Sequence, residues 1–114
     1  MVVQRNHSRV ASRTFQDFRA QVTVTDRYFA GELGDIAEAG LCLVLPGDVR
    51  VSDGEEIQGE IRAEHLALSM QFAGKVAWTS DGIKAGQPCR LVGVSFDQEL
   101  ELPEAVIALG MSAA

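Results

Sequence analysis

The strand-like runs between residues 20 and 96 are joined by connections too short to hold a crossover helix, so any sheet this chain builds must be antiparallel. Ala20, Val22 and Val24 alternate with Gln21, Thr23 and Thr25, the pattern of a strand with one buried face. Asp26-Arg27 turns the chain, and Tyr28 to Leu33 returns as a second strand. Leu41 to Leu45 is apolar without a break, which calls for burial on both faces or for closure of the sheet into a barrel. Pro46-Gly47-Asp48 ends that strand, and a polar loop over residues 47–56 contains the turn Asp53-Gly54. A fourth strand spans Ile57 to Arg62. Leu66, Leu68, Met70 and Phe72 then recur at period two, so His65 to Ala73 reads as a strand that either pairs with the fourth or continues it as one bent element. Lys75 to Thr79 and Arg90 to Phe96 complete the sheet, with a loop expected to open at Ser80-Asp81-Gly82. The expectation is six or seven antiparallel strands, and closing them into a small barrel removes exposed edges. After Phe96 the period changes. Leu102, Ala105, Val106 and Leu109 fall at helical spacing, Pro103 suits a first turn and Gly110 a stop, so a short C-terminal helix is expected to cover an open end of the sheet.

With 114 residues, 46% of them apolar and 23% charged, the chain has material for one core. No apolar run reaches membrane-spanning length, and the polar N-terminus lacks the apolar centre of a signal peptide, so a cytoplasmic location is expected. The formal net charge of −6 argues against general affinity for DNA, RNA or an anionic membrane surface. A single Trp and a single Tyr also give few platforms for stacking nucleic-acid bases. The charge is unevenly placed. Residues 1–19 hold four arginines (Arg5, Arg9, Arg13, Arg19) against Asp17, about +3, which leaves about −9 on the rest. Such a head suits a small anion better than a long one. Residues 1–14 show no strand or helix period and are expected to form a mobile arm. Cys42 and Cys89 read as reduced thiols, Cys42 packed as a small hydrophobe. Neither the cysteines, His7 and His65, nor the carboxylates fall at a nucleophile-base or metal-ligand spacing, so neither an enzyme nor a metal site is expected.

Between the second and third strands lies Asp35-x-Ala37-x-x-Gly40, a carboxylate and a glycine placed where a sheet ends and a ligand can be met. Alone it describes an ordinary tight turn whose Asp35 caps its own backbone. Upstream stand Arg5, Arg9 and Arg13 at four-residue intervals. Together these segments resemble the PilZ family of bacterial cyclic di-GMP receptors, marked by Arg-x-x-x-Arg on an N-terminal arm and Asp/Asn-x-Ser-x-x-Gly on a strand-connecting turn. Arg13 precedes Asp35 by 22 positions, the separation usual in that family, so the pair is placed on Arg9 and Arg13 with Arg5 a third contact. Lys75-Val76-Ala77-Trp78 and Leu91-Val92-Gly93-Val94-Ser95-Phe96 are similar to two later strands of the family. Phe29 and Gly40-Leu41 look most like the PilZ domain of the bacterial cellulose synthase catalytic subunit.

The resemblance implies an all-β fold: a six-stranded antiparallel barrel over residues 20–114, with its C-terminal helix, behind a flexible arm at residues 1–19. It implies a regulatory module for cyclic di-GMP, without a cofactor or metal. Arginine can stack on a purine, fork onto phosphate, or present paired donors to guanine O6 and N7. Arg9 and Arg13 would grip guanine and phosphate, Asp35 would accept from guanine N1 and N2, and Gly40 would let the backbone approach. The family serine is Ala37 here, which lines the pocket without donating, a loss of roughly 0.5–3 kcal/mol. Trp78 is a core or platform aromatic. Arm closure would switch a protein effector or an adjoining catalytic domain, in the cellulose synthase resemblance a membrane glycosyltransferase, with this segment on the cytoplasmic side of an inner membrane and not inserted. The alternative is a degenerate PilZ-like domain that acts through protein contacts alone.

Overall fold

The computed structural model describes residues 17–104 and residue 106. Arg5, Arg9, Arg13 and most of the expected C-terminal helix lie outside them. Six strands form a closed barrel: β1 (Arg19–Val24), β2 (Arg27–Ile36), β3 (Gly40–Pro46), β4 (Glu56–Ala63), β5 (Leu68–Lys84) and β6 (Gln87–Phe96). Their order around the wall is β1-β2-β3-β6-β5-β4, and every pairing is antiparallel. Each strand therefore has a partner on both sides, although β5 beyond Lys75 and β2 before Glu32 pair on one side alone.

Alternation decides what lies inside. Ala20, Val22 and Val24 of β1 meet Leu41, Leu43 and Leu45 of β3, Ile57 and Ile61 of β4, Phe72 and Val76 of β5, and Val92 and Val94 of β6 in one continuous core. Leu43, Val22, Ile61 and Val92 are wholly buried. The intervening residues of β3, Cys42 and Val44, face outward yet are also buried, in a second cluster with Cys89 and Leu91 against which Trp78 packs. This accounts for the unbroken apolar run in β3: both of its faces are covered.

One barrel mouth is closed by Val49 from the loop before β4, and the other by Phe18 with Leu100, Leu102 and Val106. Glu104 and Val106 are helical, and the Val106 amide donates to Pro103 O at 3.0 Å. Glu55 latches the first loop, accepting from the Ser52 amide at 2.7 Å and from Arg27 at 2.8 Å. The Ser52 hydrogen bond first, and then Arg27, hold its carboxyl below the usual carboxylate range.

Three expectations are corrected. The strands read at His65–Ala73 and Lys75–Thr79 are one strand, β5, preceded by a 3-10 turn at Glu64–Leu66 in which His65 stands edge-on to Phe18 at 5.8 Å. Gly74 does not break β5. A side chain there would come within 2.1 Å of Ser95 O, so glycine lets the two strands close together. Nor do Ser80-Asp81-Gly82 open a loop: they pair with Leu91, Arg90 and Cys89, and Arg90 bridges Asp81 at 2.8 Å. The hairpin turns instead at Ala85-Gly86, whose φ of 51° and 77° both lie in the left-handed region that a two-residue connection requires. Finally, Asp35 stands inside β2, and the turn proper is Ala37–Ala39.

Leu43, from the strand at the centre of both clusters, is the residue whose truncation should be felt most. Leu43→Ala is expected to destabilise the barrel by about 2–5 kcal/mol. Urea denaturation checks this, with an unchanged slope and a lower midpoint.

Candidate functional site

In a ladder of period two, Asp35 would share a face with Leu33 and point into the core. It does not, because the register shifts between Leu33 and Asp35: Leu33 pairs with Leu43, whereas Asp35 pairs with Cys42. The extra residue, Gly34, is a β-bulge that turns Asp35 onto the outer wall. A second shift lies on the far side of the same wall. Val76 pairs with Val94 inside, but Trp78 pairs with Gly93, so Ala77 is bulged and Trp78 is also turned outward. Since Cys42 pairs with Gly93, four strands carry one outward row, Asp35, Cys42, Gly93, Trp78. Its two ends are chemical and its middle is small.

Above this row lies a cleft of about 280 Å³ lined by Asp35, Ala37, Gly40, Cys42, Trp78 and Ser95 among others. The turn beside it is pinned: the Ala37 amide donates to Gly40 O at 2.8 Å, and Ala39 O and Glu38 O accept from the amides of Phe96 and Leu100, each at 2.9 Å. Ala37 itself is exposed. Gly40 has no room for a side chain, whose first carbon would stand 2.2 Å from Val94 O. Asp35 is half-buried and accepts from the Ile36 amide at 2.9 Å. Among the described residues no ion pair involves it. Its remaining acceptor capacity is free for a donor from outside. A carboxylate, a glycine-walled approach and an indole in one cleft can take a flat, hydrogen-bonding ring, by its edge at Asp35 and its face at Trp78.

Cys42 forms the floor. Burial first, and then the Asp35 charge, push its thiol from an ordinary 9.0 up to about 12, so the floor is neutral at any physiological pH. Cys89, buried in the same cluster, is raised chiefly by desolvation. Both cysteines are free. Cys42 pairs with Gly93 and Cys89 with Pro46, four residues along each strand, a separation no disulfide spans.

A larger concavity, about 520 Å³, lies further along the same wall between Arg19, Glu32, Val44, Lys84 and Gln87. Its cations are already committed, since Glu32 pairs with both Arg19, at 2.9 Å, and Lys84. No group of three or more potential metal ligands occurs among the described residues.

A family model for the PilZ domain matches residues 4–109. The chain belongs to the PilZ domain family. PilZ domains are regulatory binding domains. The match spans both the arginine segment and the Asp35 turn, and the barrel is the fold the family resemblance implies. Among solved structures, the chain is similar to the PlzA protein of Borreliella burgdorferi, determined in complex with c-di-GMP, with a TM-score of 0.56 and 15% identity. The alignment covers 99% of this chain and 48% of that one, so the chain spans about half the length of its structural relative. No curated protein matches by sequence.

Of the six residues expected at the site, Asp35, Ala37 and Gly40 meet in one cleft, whereas Arg5, Arg9 and Arg13 lie outside the described residues. Trp78, left open between core and platform by the sequence, joins that cleft.

The Cys42 thiol is buried neutral, so its contribution to stability is complete below about pH 9 and is lost as pH rises toward 12. Cys42→Ala is expected to flatten that alkaline decline relative to the wild type, as read from urea midpoints between pH 8 and about 11.

Proposed function

We propose that this PilZ domain is a regulatory receptor for cyclic di-GMP. The observation that carries the reading is the outward row in which Asp35 and Trp78 face one cleft across a floor without bulky side chains. A guanine set in that cleft presents its N1 and N2 donors to Asp35 and a ring face to Trp78. About 280 Å³ is at the small end for a ligand pocket, enough for one base and part of its sugar. The phosphates and the second base then fall to Arg9 and Arg13, with Arg5 a further contact, brought over the cleft from the N-terminal segment. The structural relative's complex with c-di-GMP supports the same ligand.

The charge distribution fits this division of work. The barrel is acidic and repels an anion, while the first residues are basic, so the ligand is held only where the two meet. Docking of the arm is the output. A segment drawn onto the barrel by ligand leaves its former position, which releases or blocks a neighbouring domain. That neighbour is a protein effector or an adjoining catalytic domain such as the glycosyltransferase of a cellulose synthase, on the cytoplasmic side of a membrane. One observation favours a second reading, a domain that works by protein contact alone: position 37, at the exposed lip of the cleft, offers a methyl group in place of the family hydroxyl.

Calorimetric titration with cyclic di-GMP decides between them. Binding that Arg13→Ala and Asp35→Ala each weaken about tenfold or more is the expected result, with loss of affinity as salt is raised. Ala37→Ser is expected to tighten binding by about twofold to a hundredfold, the worth of one restored hydrogen bond. No heat from the wild type at millimolar ligand would leave the protein-contact reading.

A further inference from the structure

Trp78 can face Asp35 only because of what is missing beside it. A first side-chain carbon on Gly93 would stand 2.1 Å from Trp78 Nε1, 2.2 Å from its Cε2 and 2.7 Å from its Cδ1. All three contacts are to the indole and none is to backbone. Gly93 is not among the glycines with positive φ, so space and not chain conformation demands a glycine here. The indole therefore lies directly across the β6 backbone and leans on the outer cluster of Cys42, Val44, Cys89 and Leu91.

We propose that Gly93 is a positioning residue for ligand binding: it forms the seat on which Trp78 rests at the cleft it shares with Asp35, without touching ligand itself. The inference rests on the reading of this cleft as the cyclic di-GMP site. Any side chain at position 93 lifts or swings the indole off the wall, and the aromatic face of the cleft is lost while Asp35 and its turn remain. Steric seating of this kind makes residues 93 and 78 energetically coupled, because a substitution at one matters only while the other is intact.

The chain has one tryptophan, so its fluorescence reports position 78 alone. The wild type, Gly93→Ala, Trp78→Ala and the double variant are compared in emission, in urea midpoint and in titration with cyclic di-GMP. Gly93→Ala is expected to shift the emission maximum before ligand is added, and to weaken binding about fivefold or more, the scale of one lost stacking contact. In the Trp78→Ala background the same change should alter neither stability nor affinity. Should Gly93→Ala not fold, the double variant should, since removing the indole removes the obstruction. An unchanged emission spectrum, or losses from the two substitutions that simply add, would overturn the proposal. Failure of the wild type to bind cyclic di-GMP is a separate outcome that rejects the ligand reading and with it this role in binding, whatever the spectra show of the seat.

Discussion

The candidate cleft depends on a closed antiparallel ladder that allows a side chain only two directions. With each strand hydrogen-bonded on both sides, a residue faces the core or the solvent according to its place in the count, and a slip of one residue would reverse a whole strand. The apolar alternation of β1 and β4, in which Val22 and Ile61 face the core and Gln21 and Glu60 do not, makes such a slip too costly to occur. A strand can re-aim part of itself only by adding a residue, and the barrel does this at two places, Gly34 in β2 and Ala77 in β5. Each insertion lies between an inward residue, Leu33 or Val76, and an outward one, Asp35 or Trp78. The core keeps its register, and the outer wall gains a carboxylate and an indole on one row.

The middle of that row is as specific as its ends. β3 and β6 contribute Cys42 and Gly93, one compact and neutral, the other absent as a side chain, so the wall between Asp35 and Trp78 stays low. Asp35 is left without a cation among the described residues, on a barrel whose other cations near this wall are occupied: Arg19 and Lys84 by Glu32, Arg90 by Asp81. An incoming ligand must therefore bring donors for the carboxylate. In the reading proposed above, Arg5, Arg9 and Arg13 supply the positive charge that balances its phosphates. On that proposal the site is shared between the barrel wall and the N-terminal segment, and occupancy is coupled to the segment's position, which is what a regulatory domain needs.

Much of this could be read from the sequence, and the parts that could not share one cause. The barrel follows from the alternation at Ala20–Val24 and the unbroken Leu41–Leu45 run, and the location of the cleft from the proximity of Asp35, Ala37 and Gly40 in the chain. Local signals misled where long-range pairing overrode them. Gly74 and Asp81-Gly82 look like breaks, yet β5 runs through both because β6 lies alongside and supplies partners. The bulges were hidden for the same reason. Gly34 is a possible cue, since glycine inside a strand often marks a bulge, but Ala77 carries none. Without the second shift, Trp78 would share a face with Val76 and be counted in the core, and the juxtaposition of Trp78 with Asp35 would be lost.

The most direct test of the account is an isotope-filtered NOE spectrum of the labelled domain with unlabelled cyclic di-GMP. The account requires contacts from a guanine H8 proton to the Trp78 indole, together with contacts from that indole to the Gly93 α-protons. Ligand contacts confined to the outer face of β1, β4 and β5, where Gln21, Gln58 and Gln71 line a separate concavity, or a Trp78 indole in contact with Leu43 and Val92 in the core, would contradict it.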